Sequence, residues 1–146
     1  MKYSLIFIFL LLNQVVIGQS KWKDHLNDYE PYTELLADFP LLQSFPYNNK
    51  LKPKLTVHSR NNGIILNIGE GQILNKSKVT IQFGATGEIN EWEITQPSDG
   101  TTSSFFIVDE REFIRKLRVN NILRISILLY QNGEQTIYFS TQGFKL

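Results

Sequence analysis

The chain has 146 residues, 42% of them hydrophobic, which is enough for one domain with a single core. It contains no cysteine, and this excludes disulfides, thiolate metal sites and a cysteine nucleophile. The 15 basic and 14 acidic residues nearly balance, so no strong overall field would attract nucleic acid or an anionic membrane.

The first 18 residues have the pattern of a secretory signal peptide. Lys2 gives a short positive start, residues 5–12 form an unbroken apolar run, and Gly18 supplies a small residue before the cleavage site. The mature chain would begin at Gln19, with 14 basic residues left against 14 acidic ones. A membrane tether formed by an uncleaved N-terminus is the alternative, although the apolar run is short for a span. The pattern therefore predicts a secreted or periplasmic protein.

Residues 19–54 are predicted to form an irregular N-terminal lead-in. Four prolines interrupt this segment, and proline removes a backbone donor and clashes with the preceding helical turn. One or two helical turns fit around residues 33–37. The segment is too apolar for a free linker, so we expect it to drape over the domain and bury some aromatic side chains. The alternative is an arm that binds a partner.

Residues 55–146 are predicted to form a single antiparallel β-sandwich. Apolar and polar residues alternate along short segments, which places one apolar face on each predicted strand. Glycine-rich turns separate these segments, and residues 97–100 combine proline, aspartate and glycine in a turn pattern. Regular strands broken by such turns are typical of a sandwich or barrel. The predicted strands before the helix are 55–59, 64–68, 78–83, 89–95 and 105–108.

One short helix is predicted over residues 109–119. Asp109 is suited to cap its N-terminus, and Glu112 three residues later completes a capping-box pattern. Acidic residues at its start and basic residues at its end complement the helix dipole. Asn120 and Asn121 tolerate a left-handed backbone and would end it. One face, which should plug one end of the sandwich, carries Phe113, Ile114 and Leu117.

The last two strands are predicted to form a hairpin whose apolar face fixes its register. A two-residue Asn132-Gly133 loop would pair apolar with polar side chains. A three-residue loop, Gln131-Asn132-Gly133, keeps the apolar face whole by pairing Ile127 with Ile137. We therefore expect a type I turn with Gly133 in a left-handed conformation.

The sequence offers no pattern for a metal, a cofactor or a catalytic centre. Its two histidines, His25 and His58, have no neighbouring ligands at metal-site spacing. The acids around Asp109 are explained by helix capping, and the glycine pairs lie between strands rather than before a helix. A hydrolase assembled from dispersed residues is the alternative function, and it requires a serine and an aspartate within hydrogen-bond reach of His58.

The candidate binding residues are Arg124, Tyr130 and Tyr138 on the polar face of the last hairpin, with Trp92 partly exposed elsewhere. Tyrosine and arginine together on a sheet face can form a recognition surface. They can equally form cross-strand pairs that the N-terminal segment covers. The sequence alone leaves both interpretations open.

Three phrases near the C-terminus carry a resemblance to known proteins: Glu91-Trp92-Glu93, Phe113-Ile114-Arg115-Lys116-Leu117, and Phe139-Ser140-Thr141-Gln142-Gly143-Phe144. Residues 92–144 resemble small exported bacterial proteins of the invasion-associated locus B group and the periplasmic accessory group of type VI secretion. The resemblance implies a β-sandwich outside the cytoplasm and carries no catalytic residue. The chain lacks the cysteines often found in those groups.

These patterns together predict an exported bacterial β-sandwich that acts as a non-enzymatic binding or envelope-associated module. We expect a protein partner in the cell envelope, no nucleic-acid partner, and no membrane contact other than through an uncleaved signal. The hydrolase and the membrane-tethered protein are the two alternatives.

Overall fold

The computed structural model describes residues 20–26, 29–47, 50–60 and 63–146. The predicted signal peptide, residues 1–18, lies outside these ranges. Nine strands and one helix are formed in the described part of the chain. Their bounds are β1 Lys23–His25, β2 Tyr32–Leu36, β3 Lys54–His58, β4 Ile64–Asn67, β5 Lys78–Phe83, β6 Ile89–Thr95, β7 Ser104–Ile107, α1 Glu110–Val119, β8 Ile122–Leu129 and β9 Gly133–Ser140.

The strands form one antiparallel sheet in the order β1-β2-β3-β4-β7-β6-β5-β8-β9, which is not closed. β6 joins its two halves, because it pairs with β5 on one side and with β7 on the other. Alternate side chains from both halves, such as Leu55 of β3 and Ile125 of β8, are fully buried in a single core cluster. The predicted fold class is therefore confirmed: a mainly β, antiparallel domain with one helix before a C-terminal hairpin.

The helix begins as predicted but ends differently. The backbone N–H of Glu112 donates to the Asp109 carboxylate at 3.2 Å, which is the expected N-cap. Asn120, however, has an extended backbone (φ −126°, ψ 141°), so the predicted left-handed exit is wrong there. The Asn120 side chain instead donates to the carbonyl oxygen of Lys116 at 2.9 Å. This bond satisfies a helix carbonyl without a left-handed residue.

The helix packs into the core through Phe113 and Leu117, both fully buried. The Phe113 ring meets Phe83 and Trp92 at centroid distances of 5.1 and 5.7 Å, both edge to face. Such aromatic pairs add to the stabilisation from burial alone. Trp92 is itself 9% exposed, so the prediction that it is partly exposed was wrong. It faces the core because it shares the β6 face with buried Ile94.

The C-terminal hairpin keeps the predicted apolar face but not the predicted register. The loop between paired Leu129 and Gly133 has three residues, 130–132, and Ile137 pairs with Ile125 rather than with Ile127. Gly133 is left-handed as predicted (φ 71°), and Gln131 is left-handed as well (φ 63°). The register differs by two residues, which leaves every side chain on the same face. The hydrophobic pattern therefore could not distinguish the two registers.

The segment from 19 to 54 is more regular than we predicted. Instead of helical turns, residues 32–36 form β2, which pairs with β1 and β3. Thr33 and Leu35 are buried while their neighbours are more exposed, which is the alternation of a strand. Hydrogen bonds to the adjacent strands outweigh the weak helical propensity of this short stretch.

Beyond β2 the chain runs along the outer edge of β9, and we call residues 38–45 the strap. The backbone N–H of Asp38 donates to the carbonyl oxygen of Tyr138 at 2.8 Å. Further along, the Gln135 side chain accepts from the backbone N–H of Leu42 at 2.9 Å. The Asn132 side chain likewise accepts from the N–H of Ser44 at 3.0 Å. The strap thus covers an edge that would otherwise present unpaired backbone groups.

Phe113→Ala is expected to lower the free energy of unfolding by about 3 to 5 kcal/mol, because it removes a fully buried ring and leaves a cavity beside Trp92. Urea denaturation followed by tryptophan fluorescence measures this loss. The control is Val119→Ala on the same helix, where the side chain is 73% exposed and the change should stay within about 0.5 kcal/mol. Equal losses in both variants would contradict the packing described here.

Candidate binding surface

The outer face of β5, β8 and β9 brings together polar side chains in two rows across the strands. In the first row Gln82 pairs with Arg124, which pairs with Tyr138. In the second row Thr80 pairs with Ser126, which pairs with Thr136. The Ser126 and Thr136 hydroxyls share a hydrogen bond of 2.8 Å. These rows line a shallow cleft of about 200 Å³.

Arg124 lies at the centre of the first row. Its Nη1 donates to Oε1 of Gln82 at 2.8 Å and to the carbonyl oxygen of Ala85 at 3.4 Å. The guanidinium carbon lies 5.6 Å from the centroid of the Tyr138 ring, within the range of a cation–π interaction. Three contacts therefore fix the position of this guanidinium.

Tyr138 lies between Arg124 and the strap. The Phe39 ring meets it edge to face at a centroid distance of 6.5 Å, and yet Tyr138 remains 42% exposed. The strap thus covers this tyrosine only in part. The contact with Phe39 agrees with the interpretation that the N-terminal segment covers this face. The remaining exposure of Tyr138 agrees with the interpretation that the face is a recognition surface.

The strap itself exposes large apolar side chains beside Tyr138. Phe39 is 67% exposed, Leu42 75% and Phe45 93%. A groove of about 740 Å³ runs between the strap and β9. We call Phe39, Leu42, Phe45 and Tyr138 the aromatic surface. Phe39, Leu42 and Tyr138 line this groove, and Phe45 lies further along the strap, after Ser44. Exposed apolar side chains grouped on a surface mark interaction sites.

The other two predicted binding residues do not lie beside Arg124. Tyr130 lies in the hairpin loop, where its backbone N–H donates to Gln72, six residues along β8 from Arg124. That separation corresponds to roughly 20 Å of strand. Trp92 is buried in the core on the opposite side of the sheet. Of the predicted residues, the structure unites Arg124 and Tyr138.

The two histidines, far apart in sequence, lie on one face of β1–β3 with Tyr32 between them. The ring centroids of His25 and Tyr32 are 4.4 Å apart, and those of Tyr32 and His58 are 5.4 Å apart. The cavity beside His58 contains Ser59 but no aspartate or glutamate side chain among its described lining residues. The Ser59 hydroxyl donates to the carbonyl oxygen of Pro31 at 2.6 Å. The acid that the hydrolase alternative requires is therefore not in place there.

Glu34 lies on the same face of β1–β3, between two basic groups. Its carboxylate is 3.2 Å from the Lys54 ammonium and 3.3 Å from Nε2 of His25. Burial alone would raise the pKa of Glu34, but its interactions with Lys54 and His25 outweigh burial. The pKa of Glu34 therefore lies below its usual value of 4.5.

The basic residues near the end of the helix are engaged within the domain. Arg115 makes two hydrogen bonds of 2.6 Å to the Glu112 carboxylate, and Arg118 donates to the backbone of Leu146. The hydrogen bond from Arg115 lowers the pKa of Glu112.

Among the described residues no group of three or more His, Cys, Asp or Glu is arranged to hold a metal ion. Nor does the described part contain a helix long and apolar enough to cross a membrane.

Comparison with known proteins yields one structural likeness. No family model matches the chain, and no curated protein matches it. The crystal structure of invasion associated protein B from Bartonella henselae is similar, with a TM-score of 0.54 and 12% sequence identity. The match covers 86% of this chain and 87% of that one. At this identity it shows the fold alone, and it confirms the predicted resemblance to that group at the level of the fold.

Sequence reasoning missed Gln82 and Phe39 as parts of this surface. Gln82 joins Arg124 because β5 pairs with β8, which lies 42 positions later in the chain. Phe39 reaches Tyr138 because the strap follows β9 across 99 positions. The available signal was the set of aromatic residues in a proline-rich segment. Of the two interpretations of that segment, the partner-binding arm was the one that used this signal.

Glu34→Gln is expected to lower the free energy of unfolding by about 1 kcal/mol at pH 7. Since the pKa of Glu34 is lower in the folded state, its carboxylate stabilises the fold above the unfolded-state pKa. That contribution disappears as the pH falls through the lower, folded-state pKa. Urea denaturation between pH 7 and pH 3 should show the gap between variant and original closing below about pH 4.5.

Glu88→Gln removes an exposed carboxylate elsewhere and serves as the control. It should change the free energy of unfolding by less than about 0.5 kcal/mol across the same range. A gap for Glu34→Gln that kept its full pH 7 size at pH 3 would contradict the assigned interactions.

Proposed function

We propose that the protein is an exported, non-enzymatic binding module that attaches to a partner in the cell envelope through the aromatic surface. The N-terminal sequence pattern supports export, either to the periplasm or to the medium. The fold supports a binding role only in a general way, because one fold serves many functions. The support for a binding role therefore has to come from the aromatic surface.

The observation that carries it is the exposure of three large apolar side chains on a backbone that is held in place. Phe39, Leu42 and Phe45 are exposed on a strap that bonds to β9 through Asp38 and Leu42 and to the hairpin loop through Ser44. A fixed backbone reduces the entropy lost when a partner orders these side chains. Exposed aromatic residues on a rigid support are the usual anchors of an interface.

The alternative functions have less support. Among the described residues that line the cavity beside His58, none is an aspartate or glutamate, so the acid that a hydrolase would need is not seen there. The tethered protein differs from the exported one only at the N-terminus and would use the same aromatic surface. The geometry beside His58 therefore counts against the hydrolase, and the mature N-terminus separates the tethered protein from the exported one.

Replacing Phe39, Leu42 and Phe45 together by serine should weaken binding to washed envelopes of the producing cells at least about tenfold, because it removes the apolar anchors. Cosedimentation of the purified protein at increasing envelope concentration measures this. The control replaces Leu26, Tyr29 and Val119 by serine. These side chains are comparably exposed, at 89%, 88% and 73%, and lie away from the strap.

Binding that survives the strap substitutions would overturn the proposal, as would an equal loss in the control. Circular dichroism and urea denaturation confirm that both triple variants remain folded. All six side chains are exposed, so neither variant should lose substantial stability.

The mature N-terminus tests export directly. Intact-mass and N-terminal measurements on the native protein are expected to find a chain that begins at Gln19, because the N-terminal segment has the pattern that signal peptidases cleave. A cell-associated chain that begins at Met1 would instead favour the membrane tether.

A further inference from the structure

Arg124 is a half-buried charge without an acidic partner. Among the described residues, no carboxylate lies within 4 Å of its guanidinium, and its Nε is buried without a hydrogen-bond acceptor. Its recorded bonds go to the neutral oxygens of Gln82 and Ala85. Keeping an arginine partly buried without a counter-charge costs free energy, which a bound anion would recover.

The ring of Tyr138 and the oxygen of Gln82 hold this guanidinium at the cleft of the outer sheet face. A guanidinium whose position is set in advance loses less entropy on binding a carboxylate. The guanidinium is a planar fork of donors. Its Nη1 is engaged by Gln82 and Ala85 and its Nε is buried, so Nη2, for which no hydrogen bond within the described residues is seen, is the nitrogen that can donate to a carboxylate oxygen.

The remaining lining of the cleft is neutral and consists mainly of hydroxyl side chains, with the exposed Ile89 beside them. Thr80, Ser126 and Thr136 contribute three hydroxyls beside Arg124, and the volume of about 200 Å³ suits one sugar ring. Hydroxyl side chains both donate and accept hydrogen bonds. They therefore match the hydroxyls of a sugar better than the apolar side chains of a peptide. Tyr138 and Phe39 supply an apolar platform at one end.

We infer that the cleft binds a carboxylate-bearing sugar, a uronic acid residue within an otherwise neutral envelope polysaccharide. Arg124 would bind the carboxylate, the hydroxyl row would bind the ring hydroxyls, and Tyr138 would pack against the adjoining sugar. This inference rests on the proposed function and names the chemical class of its partner.

The charges around the cleft favour this ligand over an acidic peptide. Glu134 stands opposite Leu128 at one end of the face, and Glu91, which pairs with Lys78 at 3.1 Å, stands beside Thr80 at the other. A ligand with several carboxylates would meet these acids, and such ligands are usually bound by clusters of arginines. One arginine surrounded by hydroxyl side chains suits a ligand that carries one carboxylate and several hydroxyl groups.

The test uses three small probes and the purified protein. They are aldotetraouronic acid (xylotriose carrying one glucuronate), neutral xylotetraose, and an N-acetylated, C-amidated Gly-Gly-Glu-Gly peptide. Titration followed by amide NMR shifts should give saturable binding of the first probe with a Kd of about 1 mM or tighter. The shifts should be confined to β5, β8 and β9. Xylotetraose and the peptide should bind at least about tenfold more weakly, since each lacks one half of the recognised chemistry.

Arg124→Gln should weaken binding of aldotetraouronic acid at least about tenfold, because a charge-assisted hydrogen bond is lost. Arg124→Lys keeps the charge without the planar fork and should also weaken it. Arg111→Gln, an exposed arginine on the helix, is the matched control and should leave the Kd unchanged. Equal effects of Arg124→Gln and Arg111→Gln would mean unspecific attraction and overturn the inference.

Absence of saturable binding, equal binding of xylotetraose, or tighter binding of the peptide would each overturn the inference. None of these results touches the envelope measurement with the strap variants. A protein that binds envelopes through the strap but ignores the uronate probe would reject the ligand class alone. Loss of both would reject the proposed function as well.

Discussion

The joint between the two halves of the sheet is the constraint on which the structure depends. β6 pairs with β5 over five residue pairs but with β7 over two, so backbone hydrogen bonds hold the β7 side weakly. The aromatic cluster of Phe83, Trp92 and Phe113 lies at this joint. Because the helix brings Phe113 to β5 and β6, burial of these rings adds to the strand pairing on the β5 side of the joint.

This arrangement divides the domain into an inner and an outer side. Period-two alternation sends one set of side chains into the common core and leaves the other set outside. The outer set on β5, β8 and β9 can vary without disturbing the core. The likeness to invasion associated protein B, at 12% identity, fits this division, because a fold is preserved by the core pattern while functional sites reside on its surface.

Much of the fold could be predicted from the sequence because its signals are local. β5 alternates strictly, both β5 and β6 have the predicted bounds, and the Asp109 cap marks the start of the helix. β2 was missed because it is short and lies between prolines, and its stability comes from β1 and β3 rather than from its own residues. The hairpin register was two residues out because hydrophobic alternation has the same parity in both registers.

Only the part of the candidate site that lies within the C-terminal hairpin was predictable. Arg124 and Tyr138 could be placed on one face, since they belong to adjacent strands joined by a short loop. Gln82 and Phe39 come from distant parts of the chain, and no local pattern indicates that they meet Arg124 and Tyr138. The exposure of Trp92 was predicted wrongly because a large aromatic residue suits both an interface and a core.

The strap protects the edge of β9 and also exposes large apolar side chains. It shields the edge of β9 from pairing with other chains, and its hydrogen bonds to β9 come largely from side chains of Gln135 and Asn132. A segment that only protected an edge would gain from turning its apolar residues inward. Leu41 is buried in this way, whereas Phe39, Leu42 and Phe45 are not. Apart from the edge-to-face contact of Phe39 with Tyr138, no contact among the described residues accounts for their exposure, and the proposed interaction rests on that observation.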